Sequence, residues 1–126
     1  MAIIVIVSHS EDIANGTKAL LNNMAKGVKI ITYGGVDHGL STSLDEVQKI
    51  LNDLDDDALC FYDLGSAEMN IDLAIETYNG PYNIKKINAP IVEGSFTAAV
   101  KLSVGGSVND AIEEIEKASF KSASFK

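Results

Sequence analysis

Five branched aliphatic residues in succession, Ile3-Ile4-Val5-Ile6-Val7, run directly into Ser8-His9-Ser10. A run this short, β-branched and free of polar alternation suits a strand covered on both faces, the condition of a parallel sheet. Such a sheet needs helices on each side, because parallel neighbours are joined by crossovers that pack on the faces. The rest of the chain supplies them. Ile13, Thr17, Leu20, Leu21 and Met24 recur at helical spacing and form the expected core stripe of a first helix that stops at Gly27. Residues 28–33, "VKIITY", read as a second strand and "GGVDHGLSTS" as the loop after it.

Ser43 and Glu46 have the spacing of a capping box, and Leu44, Val47, Leu51 and Leu54 carry the stripe of a second helix. "ALCFYD" is the third strand, followed by a helix marked by Ala67, Ile71, Ala74, Ile75 and Tyr78 and ended by Asn79-Gly80-Pro81. A short strand near "IKKI" precedes Pro90. "IVEGSFTAAVKLSV" then reads as a largely buried helix, Gly105-Gly106 breaks it, and Ser107 caps a last helix. The sequence "ASFK" occurs twice, at 118–121 and 123–126, too short a unit for a repeat architecture. The expectation is one domain over residues 1–126, with 118–126 as a tail. Its fold class is α/β: a doubly wound, mainly parallel sheet of about four strands in the order 2-1-3-4, flanked by helices.

Composition narrows the function. The 126 residues carry a formal net charge of −8, which opposes binding to a nucleic-acid backbone. All ten cations are lysines, so the bidentate guanidinium fork common at phosphate and nucleotide sites is missing. Gly34 and Gly39 have P-loop spacing, but Leu40 stands where the lysine belongs, which excludes a nucleotide site there. No apolar run approaches the roughly 18 residues needed to span a bilayer, and a cytoplasmic location is expected. Cys60, the single cysteine, lies in an apolar run and reads as a buried thiol. "DLDDD" at 53–57 and His38 read as solvated surface rather than metal ligands.

In a doubly wound sheet the chemistry sits beyond the carboxyl ends of the strands, where strand order reverses. Strands one and three are neighbours there in the order 2-1-3-4. His9 follows the first and Asp63 ends the third. A neutral imidazole is a nucleophile near neutral pH, and a carboxylate on its other nitrogen fixes the tautomer and stabilises the charge that develops. A helix opening near Ser10, Glu11 and Asp12 attracts an anion such as a phosphoryl group, and Ser8, Ser10 and Ser66 add hydroxyl donors. The spacing alone also allows a bland reading, in which the serines only cap a helix and His9 only fills a turn.

"IVIVSHS" at the start, "DLGSA" at 63–67 and "APIVEG" at 89–94 resemble the phosphotransferase subunits of dihydroxyacetone kinase, the DhaM family, whose carrier domain is of the mannose-type enzyme IIA kind. The resemblance covers almost the whole chain. It implies a phosphoryl carrier of a phosphoenolpyruvate-dependent dihydroxyacetone kinase, a phosphotransferase acting through a phosphohistidine. His9 would accept phosphate from HPr and pass it to ADP on the partner subunit DhaL, with DhaK holding the dihydroxyacetone. The ADP and its magnesium belong to the partner, and no cofactor or metal is expected on this chain. The resemblance further implies that Asp63 orients the imidazole, with Ser8, Ser10, Gly65 and Ser66 around the phosphate and Gly39, Thr42 and Ser43 from the loop after strand two. A homodimer is also implied. Some members are fusions with HPr-like and enzyme I-like parts, so a chain of this extent is expected to receive phosphate from separate proteins.

Three rivals stay open at this point, one of them a non-catalytic binding module, since sequence alone shows no turnover. A mannose-type enzyme IIA of a sugar permease has the same chemistry and another acceptor. A receiver-like signalling domain would be phosphorylated on Asp63, though Ser8-His9 stands where its acidic pair belongs.

Overall fold

The computed structural model describes residues 1–35, 43–118, 120 and 124. The chain runs β1 (Ile3–Ser8), α1 (Glu11–Met24), β2 (Ile30–Gly34), α2 (Leu44–Asn52), β3 (Ala58–Tyr62), α3 (Gly65–Thr77), β4 (Ile84–Lys86), α4 (Ile91–Ser103) and α5 (Val108–Lys117). The four strands form one sheet in the order β2-β1-β3-β4, with every pairing parallel. This is the expected doubly wound arrangement, with β1 and β3 paired at the reversal point.

The sheet separates two cores. Ile4, Ile6, Leu59 and Phe61 point to the side covered by α1, α4 and α5, where they meet Ala14, Leu21, Ala98, Ala99, Leu102 and Ala111. Ile3, Val5, Val7 and Cys60 point to the other side, against Val47 and Leu51 of α2 and Ala67, Ile71 and Ala74 of α3. Alternate residues of β1 therefore serve opposite cores, which is why its run contains no polar position. Every residue of β1 is buried. Among the described residues no helix is long and apolar enough to cross a membrane.

Two local expectations change. The buried stripe of α1 is Ala14, Thr17 and Leu21, while Ile13, Leu20 and Met24 are 46%, 41% and 55% exposed. The inward stripe packs against the sheet and α4, with Leu21 fully buried beside the smaller Ala14 and Thr17, and Ile13, Leu20 and Met24 are left at the rim. Ser43 stands at the N-cap of α2 as expected, but its side chain makes no capping bond, so no capping box forms with Glu46. The box is found instead at α5, where the Ser107 hydroxyl accepts the Asp110 N–H at 3.1 Å and the Asp110 carboxylate accepts the Ser107 N–H at 2.9 Å. Part of the acidic run at 53–57 has a structural use: the Asp57 carboxylate accepts the Asn83 N–H at 2.7 Å and helps place the chain entering β4.

Candidate functional site

Register brings the site together. β1 and β3 pair through Val7 and Tyr62, while Ser8 at the end of β1 pairs with Gly34 at the end of β2. The residues that follow, His9 and Asp63, leave adjacent strand ends in the same direction. His9 Nδ1 lies 2.9 Å from Asp63 Oδ1, and the two side chains are 20% and 13% exposed.

The carboxylate is used completely. Its Oδ1 also accepts the Leu64 N–H at 2.7 Å, and its Oδ2 accepts the Ser8 hydroxyl at 2.7 Å and the His9 N–H at 3.1 Å. Burial acts upward on the Asp63 carboxyl and is the largest single influence, yet the bonds from Ser8, His9 and Leu64 together outweigh it and hold it below the usual carboxylate range. An ionised Asp63 requires a proton on His9 Nδ1, so the lone pair of the neutral ring resides on Nε2. That nitrogen meets the hydroxyl of Ser66.

Ser66 belongs to the first turn of α3. The first N–H groups of a helix lack intrahelical partners, and the residue at the N-cap of α3 is Leu64, which offers no side-chain acceptor. A Cβ built on Gly65 meets nothing within 4 Å, so the opening of this helix is uncrowded. By contrast α1 is capped by its own Ser10, whose hydroxyl accepts the Ile13 N–H at 3.3 Å. The Nε2 edge of His9 therefore faces α3 rather than the opening of α1 anticipated from the sequence.

The expected shell divides accordingly. His9, Asp63, Gly65 and Ser66 are gathered at the strand ends. Ser8 is fully buried behind Asp63, its hydroxyl donating to that carboxylate while accepting the Ser10 N–H at 3.0 Å. It supports the carboxylate rather than the free edge of the ring. Ser43 sits at the start of α2 with its carbonyl accepting the Val47 N–H. Gly39, Thr42 and His38 lie outside the described residues.

Gly34 was passed over in the sequence except as a false P-loop match. A Cβ there would stand 2.6 Å from the Ser10 carbonyl oxygen, so β2 and the turn after β1 approach backbone to backbone. A glycine at a strand end was the available signal. A second omission is the group beside α3: Lys86 Nζ lies 2.7 Å from Glu68 and 2.9 Å from Asp72, and Tyr62 Oη lies 3.1 Å from Glu68 Oε2. These contacts tie α3 to the ends of β3 and β4.

Comparisons with known proteins agree with this fold. The family model described as the PTS system fructose IIA component matches residues 3–112. The phosphotransferase subunit DhaM of a PTS-dependent dihydroxyacetone kinase from Lactococcus lactis is 40% identical over 116 residues, 90% of this chain and 93% of that protein. A crystal structure of a protein of unknown function superposes with a TM-score of 0.83 at 26% identity, covering 98% of this chain and 100% of the other. The phosphotransferase system component EIIA from Streptococcus agalactiae has the same fold, with a TM-score of 0.69 at 19% identity over 92% of this chain and 90% of its own. A parallel 2-1-3-4 sheet, the match over residues 3–112 and the identity with a DhaM subunit along nearly its full length place the chain in the mannose-type enzyme IIA family of the phosphotransferase system, on its DhaM branch.

Proposed function

We propose that the chain is the phosphoryl carrier of a phosphoenolpyruvate-dependent dihydroxyacetone kinase, taking phosphate from HPr on His9 and passing it to ADP bound on a DhaL subunit. The observation that carries this reading is the two-sided environment of His9: Nδ1 tied to Asp63 at 2.9 Å and Nε2 directed at Ser66 in the uncapped first turn of α3. In the first step the Nε2 lone pair attacks phosphorus as the N–P bond of the donor phosphohistidine breaks. Positive charge grows on the ring, and the Asp63 carboxylate facing the Nδ1–H stabilises it. The Ser66 hydroxyl and the first N–H groups of α3 hold the phosphoryl oxygens.

The second step reverses the first with a β-phosphate oxygen of ADP as nucleophile. The nucleotide and its magnesium reside on the partner, and this chain contributes an oriented, phosphorylated imidazole. An Asp63 acceptor of the receiver kind is disfavoured, because both carboxylate oxygens already accept two hydrogen bonds each. The match to a sugar IIA family model supports a second acceptor, the permease component of a mannose-type system.

Phosphoenolpyruvate, enzyme I and HPr together should place one phosphoryl group on the chain, stable in base and labile in acid, and His9→Ala should take up none. ADP-loaded DhaL should then discharge it. Discharge only by a permease component would move the protein to the sugar branch. Label that is lost in base would place the phosphate on a carboxylate and sink the histidine mechanism.

A further inference from the structure

In the carrier reading the first turn of α3 holds the phosphoryl oxygens, so its position relative to His9 decides how fast transfer can be. Little within the helix fixes that position. Gly65 and Ser66 are exposed, Leu64 at the N-cap is exposed and makes no capping bond, and Ala67 alone of the turn is buried. A buried methyl group resists lifting of the helix from the sheet. Apolar contact is non-directional, however, and does not fix how far the helix slides along the sheet. Directional bonds do, and they reach this turn from outside the helix, at Glu68.

Glu68 completes the turn, and its carboxylate is held from two strands. Lys86 Nζ of β4 donates to Glu68 Oε2 at 2.7 Å, and Tyr62 Oη at the end of β3 lies 3.1 Å from the same oxygen. The Lys86 ammonium stands 5.9 Å from the centre of the Tyr62 ring. Lys86 pairs with Cys60 across the sheet, and Tyr62 immediately precedes Asp63. The strand end that carries the partner of His9 therefore also places the start of α3. The Lys86 and Glu68 side chains are 24% and 35% exposed, so water screens the pair and its worth lies in geometry more than in stability. A carboxylate in this turn would by itself repel an incoming phosphoryl group, and its presence is accounted for by what it binds.

We propose that Lys86 and Glu68 form a positioning clamp for phosphoryl transfer, holding the first turn of α3 where Ser66 and the helix N–H groups meet a group transferred to His9 Nε2. Neither residue touches the phosphoryl group; both act through α3. The proposal rests on the reading of His9 as phosphoryl acceptor and assigns to β4, the edge strand, a part in that site.

The test compares two phosphoryl donors on the full chain: phospho-HPr, and phosphoramidate, a small donor that needs no docking. With phosphoramidate the Nε2–P bond forms as the donor N–P bond breaks and ammonia leaves. Lys86→Met and Glu68→Ala open the clamp from opposite ends and remove charges of opposite sign. Each should slow labelling of His9 by about 3- to 30-fold, the effect of a small misplacement of the receiving groups. The factor should be the same with phosphoramidate and with saturating phospho-HPr, while half-saturation by phospho-HPr changes by about twofold or less, because the docking surface is unaltered. The double variant should be no slower than the slower single one, since a clamp opens only once. Thermal midpoints should stay within about 5 °C of the parent, as for a screened ion pair. Glu68→Ala keeps the test open should Lys86→Met fold poorly.

Parent rates in both variants would overturn the clamp. Faster labelling of Glu68→Ala beside slower labelling of Lys86→Met would overturn it as well, by assigning the effect to charge. Slowing confined to phospho-HPr would make the pair a docking contact instead. If phosphoramidate labels the variants in the expected order while phospho-HPr fails to label even the parent, the clamp stands and the carrier reading falls.

Discussion

Asp63 accepts four hydrogen bonds at once, and two of them come from a single residue: His9 donates its ring Nδ1–H to one carboxylate oxygen and its backbone N–H to the other. The carboxylate therefore fixes both the ring orientation and the backbone that carries the ring. Asp63→Asn is the informative change. Its amide oxygen can replace Oδ1 toward the ring and Leu64, but its NH2 then points at the Ser8 hydroxyl and the His9 N–H, which are donors. Ser8 can rotate; the backbone N–H cannot. The variant should lose about 1–3 kcal/mol of stability from the unpaired group. Phosphorylation of His9 should slow by about 10- to 100-fold, as for loss of an orienting partner. Stopped-time labelling with HPr and urea unfolding measure the two effects, and an unchanged transfer rate would count against the pairing.

The same carboxylate should shape the acid limb of stability. Its pKa in the folded protein lies below the ordinary value of 3.8, so folding favours the ionised form. The sign follows from linkage: this contribution is fully present above the unfolded value and disappears as pH falls through the folded one. Glu68, through its bond from Lys86, and Asp110, through the Ser107 N–H, are depressed in the same direction and are common to both proteins. Between about pH 5 and pH 3, unfolding free energy should therefore fall more steeply in the parent than in Asp63→Asn. Parallel slopes would mean that Asp63 is not a distinctive acid-sensitive group.

Cys60 offers a probe of the core between the sheet and helices α2 and α3. Burial pushes its thiol up to about 12. Only the thiolate reacts with alkylating reagents and disulfides, so the native protein should resist both near neutral pH. Modification should appear together with global unfolding in urea. Labelling of the folded chain at the rate of a free cysteine would show that this core opens locally.

Much of this architecture was legible because a few residues have only one reasonable use. An unbroken β-branched run such as 3–7 requires cover on both faces, and repeated strand–helix units then restrict the topology so far that His9 and Asp63 must be neighbours. What was not legible depends on distances between segments remote in sequence. The spacing of Ile13, Leu20 and Met24 is helical, but only the close approach of α4 decides that Ala14, Thr17 and Leu21 face inward. Ser43 and Glu46 have capping-box letters without the bond, because the motif specifies residue types and not side-chain rotation. From its place beside His9, Ser8 was expected to offer its hydroxyl to the phosphate. Its actual partner, Asp63, is 55 residues away.

Gly34 is the clearest case of such a hidden constraint and gives the sharpest mutational test. It ends β2 opposite Ser8, and a Cβ there would lie 2.6 Å from the Ser10 oxygen, 2.9 Å from the Ser10 carbonyl carbon and 3.1 Å from the Glu11 nitrogen. All three are backbone atoms, so no side chain can swing aside. Either β2 must withdraw from β1 or the turn carrying His9 must move. Gly34→Ala should cost about 1–3 kcal/mol, the range for forcing extra volume into a packed site. A displacement of the turn by about 1 Å would slow phosphorylation of His9 by up to about 100-fold, since transfer depends on near-attack geometry. Gly16→Ala is the matched control. Gly16 lies exposed within α1, and a Cβ there meets nothing within 4 Å. That substitution should stabilise the protein by about 0.5–1 kcal/mol through helix propensity alone and leave transfer unchanged. Thermal unfolding should therefore shift in opposite directions for the two alanines, with transfer impaired only in the first. If Gly34→Ala were as stable and as readily phosphorylated as the parent, the contact between β2 and the Ser10 backbone would not be what holds His9 in place.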